Sequence, residues 1–582
     1  MVQLFKSGLF KPLYANKIQI IILFRMMSKQ YSLLIVLNIF ALSFPASVQK
    51  IENFTAHYDP IPPADEEEIL LQEKNYWMQD GLQHLKEMLR QEKEERQHVA
   101  KNVIIFIGDG MGTTTTTAAR IYKGQRNFGK MGEEHSLSFE RFPNVALVKT
   151  YNVDRQVPDS AGTATALFTG VKSRFKAIGV DVKSSVTEFK EEVYSQSKLD
   201  SFMVWAQEAG KDTGIVTTTR ITHATPAATY ARINNRDWEC DTEVPESYRN
   251  NIKDIARQLI EDEPGKNFKV ILGGGQQQMG YVDYVKEGKC SRGDKLNLTE
   301  TWINKHENSS AVFAVNNGDL EKVTDDTDFL LGLFDPNHMP FELTRNKNAS
   351  GSPGLTDMTR KALQILKKNP NGFVLMVEGG LIDQAHHKNY ARLAMGETAE
   401  LDSAISFALN ETGEDTLILV TADHSHAFTM NGYAKRGNDI LGFGNETMEK
   451  DMPYLTLAYG NGPGFDYHYT PNDTMTQAYP WRDVSIDENR LQDPWYQHLG
   501  TFTKEDETHG GEDVAIYAKG PNSHLIKGVI EQNYVAHLVS YSACIGPQAI
   551  LNEYCPGTGT SDGLRVQYSY LLIFSIIFYY VF

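Results

Sequence analysis

The sequence predicts an α/β fold in which a large, mostly parallel central sheet carries helices on both faces. Short apolar runs with the length of strands recur along the chain, and the first, Asn102 to Ile107, ends at Gly108. Segments with helical periodicity, at 251–261, 355–368 and 390–409, lie between these runs. Strands that are apolar throughout are typical of parallel sheets buried on both faces, and their alternation with helices indicates an α/β domain. The later runs begin at Gly214, Val270, Phe373, Leu417 and Val514.

The first 47 residues have the layout of a secretory leader. Met26 to Gln30, a stretch with one lysine, precedes an apolar run from Leu33 to Phe44, and the small residues Ala46 and Ser47 follow. This order of charged, apolar and small residues is that of a signal peptide. A second apolar run at 18–24 leaves open whether translation starts at Met26 or Met27 or whether the signal is unusually long.

Residues 48–98 are predicted to form an N-terminal helical arm, because apolar residues recur there at roughly helical spacing in a charged background. These apolar residues are Leu70, Tyr76, Trp77, Leu82, Leu85 and Leu89. The main domain is expected to span residues 99–556. Within it, residues 431–500 are rich in Gly, Asn, Pro, Tyr and Asp, which favours an inserted loop-rich surface subdomain. Its aromatic residues could form a binding face or only contacts within the insert, and the sequence leaves both open.

Residues 557–582 have the layout of a signal for a glycosylphosphatidylinositol anchor. Small residues from Gly557 to Ser561 precede a polar spacer, Asp562 to Ser569, and an apolar tail, Leu571 to Phe582. The tail is shorter than the roughly 20 residues of a membrane span. Small site, spacer and tail together match an anchor signal, which is removed when the lipid is attached. We therefore expect the protein on the outer leaflet of the cell membrane; a tail packed on the protein is the alternative.

Composition and charge narrow the class of protein. Hydrophobic residues make up 41% of the chain and charged residues 23%, which is typical of a globular protein. The net charge of −17 excludes nucleic acid as a partner, because nothing would neutralise its phosphates. A phosphorylated small molecule remains possible, because metal ions can dominate the field inside a site.

Cysteines and sequons fit the secretory route. The four cysteines favour the short-range pairs Cys240–Cys290 and Cys544–Cys555 in an oxidising compartment, with four unpaired thiols as the alternative. Seven N-glycosylation sequons support this route collectively, since single sequons arise often by chance. They are at Asn53, Asn297, Asn308, Asn348, Asn410, Asn445 and Asn472.

Acidic side chains and a histidine follow three of the predicted strands. Asp109 comes two residues after the first strand, Glu378 follows Val377, and Asp423 and His424 come after the strand that begins at Leu417. In open α/β sheets the site forms outside the carboxyl ends of the strands. A single aspartate at a strand end would merely cap a helix. Carboxylates at three such ends are therefore predicted to converge.

A serine opens one predicted helix and is followed only by small residues. The stretch runs from Val157 to Ala166, with Ser160 at the start of the helix. Small residues in a first helical turn let a charged group come close to the backbone, and a phosphate fits such a place. Ser160 is therefore the candidate nucleophile.

Histidines supply further candidate metal ligands. Asp383 and His387 are four residues apart, which places both on one face of a helix. The stretch Asp423 to His426 offers more ligands at a strand end, and His509 is followed by two glycines. Zinc accepts mixed nitrogen and oxygen ligands. Any one of these histidines alone would more often be structural, but the ensemble indicates a metal-assisted phosphoryl-transfer site.

Five sequence blocks resemble the signature blocks of the alkaline phosphatase family, in order and suitably spaced. They are Ile107 to Gly112, Asp159 to Thr165, Val377 to Gly380, Thr421 to His426 and Thr508 to Asp513. The resemblance extends from about Lys101 to Cys555 and is strongest to the lipid-anchored animal enzymes. It implies a homodimeric phosphomonoester hydrolase that uses two zinc ions and one magnesium ion.

The resemblance also implies a role for each site residue. Ser160 becomes phosphoserine, and Arg236 grips two phosphate oxygens. Asp383, His387 and His509 bind the first zinc, while Asp109, Asp423 and His424 bind the second. Asp109 also bridges to a magnesium ion completed by Glu378 and Thr225, and His223 lies near that ion.

Three positions depart from the vertebrate pattern of the family. Thr225 replaces a serine and keeps the hydroxyl ligand, whereas Gln384 replaces a histidine that follows the zinc aspartate. Ser352 stands where a calcium-binding aspartate is expected, and only Phe334 and Asp335 remain as a remnant of that site. The sequence therefore leaves open whether a fourth metal binds.

Two other functions remain as alternatives. A phosphodiesterase or sulfatase on the same scaffold typically has threonine or a modified cysteine in place of the serine, so Ser160 together with Arg236 favours monoesters. A cell-surface binding protein that has lost activity would lack some of the ligands, and every core ligand is present.

Overall fold

The computed structural model describes residues 99–282, 290–448, 452–469 and 481–556. The leader, the N-terminal arm and the anchor signal lie outside the described residues, as do Asn53 and Asn472, and they stay predictions. For Asn445 only the backbone is described. No helix in the described part of the chain has the length and apolarity needed to cross a membrane.

Ten strands form the main sheet, and the predicted architecture is confirmed. The strands of the chain are β1 Asn102–Gly108, β2 Asn144–Lys149, β3 Asp212–Arg220, β4 Val270–Gly274, β5 Ala311–Ala314, β6 Phe329–Leu333, β7 Phe373–Gly379, β8 Thr416–Ala422, β9 Ser425–His426, β10 Phe428–Met430, β11 Phe443–Met448, β12 Met452–Leu455, β13 Leu457–Tyr459, β14 His509–Gly510, β15 Val514–Lys519 and β16 Gly528–Glu531. The order in the sheet is β16-β2-β15-β8-β1-β7-β3-β4-β6-β5, and all neighbours are parallel except β15, which is antiparallel to β2 and β8.

Helices cover both faces of this sheet. They are α1 Thr113–Phe128, α2 Ser160–Thr169, α3 Glu191–Ser197, α4 Phe202–Glu208, α5 Ala224–Ala227, α6 Ile255–Glu261, α7 Leu298–Lys305, α8 Asn317–Leu320, α9 Leu355–Leu366, α10 Leu381–His387, α11 Ala391–Glu411, α12 Gly464–His468 and α13 Tyr534–Ala543. Helices α1, α9 and α11 pack together, and α2, α4 and α13 form a second group. The buried strands β1, β7 and β8 lie between them at the centre of the core.

Register brings the predicted strand-end ligands to one edge of the sheet. Ile107 of β1 pairs with Glu378 of β7 and with Thr421 of β8. Asp109 and Asp423 then come directly beyond these paired positions. Their convergence follows from three parallel strands ending at the same level.

The predicted insert, residues 431–500, contributes no strand to the main sheet among its described residues. It contains the β11–β12 hairpin, and β13 pairs with β10. At its base, β9 pairs with β14 so that His426 lies opposite His509. This short ladder brings His509 back to the edge of the sheet where the other ligands lie.

Both predicted short-range disulfides, Cys240–Cys290 and Cys544–Cys555, form. The sequons at Asn308, Asn348 and Asn410 are exposed, as glycan attachment requires. Asn297 is half-buried and caps α7, where its side chain accepts a hydrogen bond from the Glu300 amide.

Candidate active site and metal centre

The predicted ligands meet in one buried cluster beyond the carboxyl ends of β1, β7 and β8. Overlapping sets of three or four ligand atoms occur there, and within each set all atoms lie within 4.8 Å of one another. We treat them as three groups, one for each ion that the resemblance implies. The rings of His424 and His509 stack with their centroids 3.6 Å apart. The two zinc sites that the resemblance implies are therefore neighbours.

Asp383, His387 and His509 form a compact triad of ligand atoms. The His387 and His509 Nε2 atoms are 3.3 Å apart, and they lie 3.2 and 3.4 Å from Asp383 Oδ1. A tetrahedral zinc ion with bonds of about 2.0–2.1 Å separates its ligand atoms by about 3.3 Å. The three side chains therefore fit such an ion closely.

The remaining ring nitrogens of these histidines are held by backbone carbonyls. His387 Nδ1 donates to the Glu507 carbonyl at 2.5 Å, and His509 Nδ1 donates to that of Pro158 at 2.8 Å. Each bond fixes the proton on Nδ1 and leaves the Nε2 lone pair facing the triad. This is the usual arrangement around ligating histidines.

Asp109, Asp423 and His424 form the second group, and Ser160 adjoins it. His424 Nε2 is 3.3 Å from both Asp109 Oδ1 and Asp423 Oδ2. The Ser160 hydroxyl is 3.1 Å from His424 Nε2 and 3.5 Å from Asp109 Oδ1. The candidate nucleophile therefore lies against two of the three ligand atoms that would hold a cation.

The third group contains buried polar atoms that lack hydrogen-bond partners. Among the described residues, Asp109 Oδ2, Glu378 Oε1, Thr225 Oγ1 and His223 Nδ1 are all buried and unpartnered. Unpaired buried polar atoms are rare because each costs about 1–3 kcal/mol. Two carboxylate oxygens and a hydroxyl are hard ligands suited to magnesium. The donor set therefore fits the ion that the resemblance implies here.

Without cations, three of the four ligand carboxylates of this cluster, Asp109, Glu378 and Asp423, are hard to ionise. Burial, reinforced by Asp423 and Asp383, raises the pKa of Asp109. Burial likewise raises the pKa of Glu378 to about 7 and raises that of Asp423. Burial and the neighbouring His509 lower the pKa of His424, which keeps its imidazole neutral. A neutral His424 beside acids that need positive charge suits a metal centre.

The start of α2 is built around Asp159, which precedes the serine. Asp159 Oδ1 accepts hydrogen bonds from the Gly162 amide and from Asn152 Nδ2. Residue 162 must be glycine, since a Cβ there would lie 1.9 Å from that Asn152 nitrogen. Asp159 Oδ2 accepts a bond of 3.1 Å from Arg236 Nη1. One carboxylate thus places both Ser160 and Arg236.

His223 lies between Arg236 and the third group. Its Nε2 accepts a hydrogen bond of 3.0 Å from Arg236 Nη2, which can only donate. A neutral His223 therefore carries its proton on Nδ1, which is buried and has no hydrogen-bond partner among the described residues. Burial, followed by the charge of Arg236, lowers the pKa of His223 and favours this neutral form.

Two residues of the site were not assigned roles from sequence. His426 Nε2 is 2.8 Å from Asp383 Oδ1, and its Nδ1 bonds to Glu507, which is also buried. His426 thereby supports the ligand Asp383. Glu507 had no sequence signal, because its role depends on the β9–β14 ladder. By contrast, His386 bonds to Thr115 and Tyr459 and is a structural histidine.

Comparison with known proteins decides the family. The family model for alkaline phosphatase matches residues 100–545. The chain is 48% identical to alkaline phosphatase 4 of Drosophila melanogaster over 509 residues, which cover 83% of this chain and 84% of that protein. It is 44% identical to the tissue-nonspecific isozyme of alkaline phosphatase from Homo sapiens, over 81% of this chain and 88% of that protein.

This chain belongs to the alkaline phosphatase family. It is a phosphomonoester hydrolase, and the clusters described above are those of a metal-binding enzyme. The fold agrees with solved structures of bacterial members. The enzyme of Thermus thermophilus superposes with a TM-score of 0.54 at 22% identity, over 78% of this chain and 93% of that chain. The enzyme of the Antarctic bacterium TAB5 gives 0.52 at 22% identity, over 77% and 99%.

Proposed function

We propose that this alkaline phosphatase hydrolyses phosphate monoesters through a phosphoserine formed on Ser160, with two zinc ions and one magnesium ion. The observation that carries the proposal is the contact of the Ser160 hydroxyl with His424 and Asp109. A hydroxyl in that position needs no histidine base if a cation shares the same ligand atoms.

The three groups of ligand atoms would each hold one ion. Asp383, His387 and His509 suit the first zinc, while Asp109, Asp423 and His424 suit the second. Asp109, Glu378 and Thr225 suit magnesium, and His223 lies close to Asp109 and Glu378. Bound ions would neutralise the charge of the transferring phosphoryl group and lower the pKa of a hydroxyl in contact with them.

The side chains of the enzyme position the nucleophile and bind the phosphate group of the substrate. Ser160 Oγ attacks phosphorus, the bond from phosphorus to the alcohol oxygen breaks, and water later cleaves the serine ester to release inorganic phosphate. The departing alcohol takes up a proton, and the serine proton passes to solvent. Arg236 presents two donors that match two phosphate oxygens, and Asp159 holds its guanidinium in place.

Metal removal tests this proposal. Chelation with exhaustive dialysis should abolish hydrolysis of p-nitrophenyl phosphate, and zinc plus magnesium should restore it, with zinc alone giving partial recovery. Elemental analysis of each preparation is the control. Full activity in protein that elemental analysis shows to be free of metal would contradict the mechanism.

We also infer that the enzyme is a homodimer anchored by lipid on the outer face of the cell. The layout of residues 557–582, the two disulfides and the exposed sequons support the extracellular part of this inference. A phospholipase C specific for phosphatidylinositol should release active enzyme from expressing cells. Enzyme that stays bound and still contains Leu571 to Phe582 by mass spectrometry would contradict the anchor.

A further inference from the structure

A polar cavity lies away from the metal cluster, between α1, α11 and the end of β15. Its volume is about 620 Å³, and Lys123, Arg141 and Lys519 line it. Lys519 pairs with Ile418 near the start of β8, whereas the metal ligands follow the ends of the parallel strands. The cavity therefore lies towards the opposite end of the sheet from the active site.

Positive charge exceeds negative charge in this cavity. Lys123 Nζ donates to Asp402 Oδ2 at 2.7 Å, so these two charges cancel. Among the described residues that line the cavity, Asp402 is the only acid. Arg141 and Lys519 form no ion pair with any other residue in the described part of the chain. In a protein with a net charge of −17, two free cations at one cavity provide a local site for an anion.

The same cavity offers hydrogen-bonding side chains and an apolar face. The side chains of Asn127, Ser136 and Ser406 line it and form no hydrogen bond with other described residues. Phe128 is 55% exposed, and its ring lies with its centroid 4.7 Å from that of His135. An amide and two hydroxyls next to an exposed aromatic face match the alternating hydroxyl groups and C–H faces of a sugar.

We propose that this cavity binds a sulfated sugar. Arg141 and Lys519 bind the sulfate, the amide and hydroxyls bind the sugar hydroxyls, and Phe128 packs against a C–H face. The volume lies within the range of about 300–1,000 Å³ that small-molecule sites occupy, which is far larger than a bare oxyanion needs. Sulfate is favoured over phosphate because a phosphate ester would be consumed by this enzyme.

Calorimetric titration of the full-length holoenzyme with glucose 6-sulfate tests the proposal. The double variant Arg141→Gln/Lys519→Gln should raise the Kd by about tenfold or more, because the sulfate loses both of its charged hydrogen-bond donors. Lys527→Gln removes an exposed lysine outside the cavity and should leave the Kd unchanged. Arg236→Ala, which removes the phosphate clamp of the active site, should also leave it unchanged. Unaltered turnover of p-nitrophenyl phosphate shows that the double variant is folded.

Inorganic sulfate and glucose, titrated separately, test the two halves of the ligand. Each should bind at least about tenfold more weakly than the ester, because each lacks the contacts made by the other half. Inorganic sulfate that binds as tightly as the ester would overturn the sugar site. So would absence of binding to the unaltered enzyme, or binding that Arg236→Ala abolishes and the double variant retains.

Discussion

Two clusters of buried charge in this enzyme differ in how their charge is balanced. Around Asp109, three carboxylates lie at the strand ends, and Arg236 is the nearby cation. Two of the carboxylate oxygens have no hydrogen-bond partner among the described residues. Around Arg292, the guanidinium forms paired bonds of 2.6–3.1 Å to both Asp254 and Asp294. Arg292 and Asp254 are almost wholly buried, with exposed side-chain fractions of 2% and 1%.

The difference separates function from structure. A buried charge whose partners are all supplied by the protein holds elements together, and here Arg292 ties the segment after Cys290 to the start of α6. Buried charged groups that lack partners within the protein can instead bind a ligand, here metal ions. Changes in the first cluster should therefore cost activity, and changes in the second should cost stability.

Ser160→Ala should give the largest effect. Hydrolysis of p-nitrophenyl phosphate should fall by roughly 10³-fold or more, because the covalent intermediate cannot form. Zinc and magnesium content should stay close to that of the unaltered enzyme, since Ser160 touches the ligand atoms but is not one of them. Thr163→Ser, three residues further along the same helix, keeps the hydroxyl and serves as the control for packing changes in α2. Radiolabelled phosphate attached covalently to the Ser160→Ala protein would show that another residue is the nucleophile.

Arg292→Met should instead destabilise the fold. It leaves Asp254 buried without its partner, a situation that typically costs about 3–5 kcal/mol. Arg257→Met is the matched control, because the Arg257–Glu261 pair is partly exposed and such pairs contribute about 0–1 kcal/mol. Chemical denaturation measures both variants. A loss of activity per folded molecule in Arg292→Met would mean that this cluster also serves the active site.

The cluster around Asp109 could be predicted largely from sequence, because the position of each ligand depends on the strand or helix that carries it. Asp109, Asp423 and His424 follow apolar strands directly, and Asp383 and His387 share one helix, so each ligand's direction follows from its own element. The fold was predicted for the same reason at the central strands. Strand β2 was missed because Val145 and Leu147 are 47% and 41% exposed, so its pattern alternates and lacks a continuous apolar run.

The rest of the site depends on pairing between distant segments. Glu507 reaches His426 only because β9 pairs with β14 across the insert. The Arg292 cluster joins residues 38 positions apart, and the cationic cavity joins Arg141 with Lys519. No local pattern carries such information. The predicted, mostly parallel sheet contains one antiparallel strand, β15 between β2 and β8, and the apolar run of β15 does not reveal its direction.

Glu397 shows a third way to bury a carboxyl group, and it predicts a pH dependence. Burial raises the pKa of Glu397 to about 8, with Glu342 and Glu400 adding to the shift while the Glu342 amide and Arg345 oppose it. Between pH 4.5, the ordinary pKa of a glutamate, and about pH 8, the folded enzyme therefore keeps Glu397 protonated. In the unfolded chain the same group is ionised over this pH range. Stability from this group is complete below pH 4.5 and is lost as the pH rises to 8.

Glu397→Gln should remove that loss, because an amide stays neutral at every pH. Relative to the unaltered enzyme, the free energy of unfolding of the variant should rise by about 1.4 kcal/mol for each pH unit between pH 4.5 and 8. Glu208→Gln, at an exposed site, should show no such trend. Denaturation at pH 5, 6.5 and 8 measures the slope, and parallel curves for Glu397→Gln and its parent would exclude a protonated Glu397.

Gln384→His should have the smallest effect, because it alters a neighbour of the metal centre and leaves every ligand in place. Gln384 Nε2 donates to Asp383 Oδ2 at 2.9 Å, so the side chain lies beside the site proposed for the first zinc. A histidine there adds a group with an ordinary pKa near 6.5. Once protonated, it should attract free phosphate and strengthen product inhibition below that pH by less than about tenfold, with little change at pH 9. Gln384→Leu loses the hydrogen bond to Asp383 without gaining charge, so it separates the effect of the lost bond from that of the added charge. Phosphate inhibition constants that stay equal for the unaltered enzyme and both variants at every pH would show that Gln384 plays no part in phosphate release.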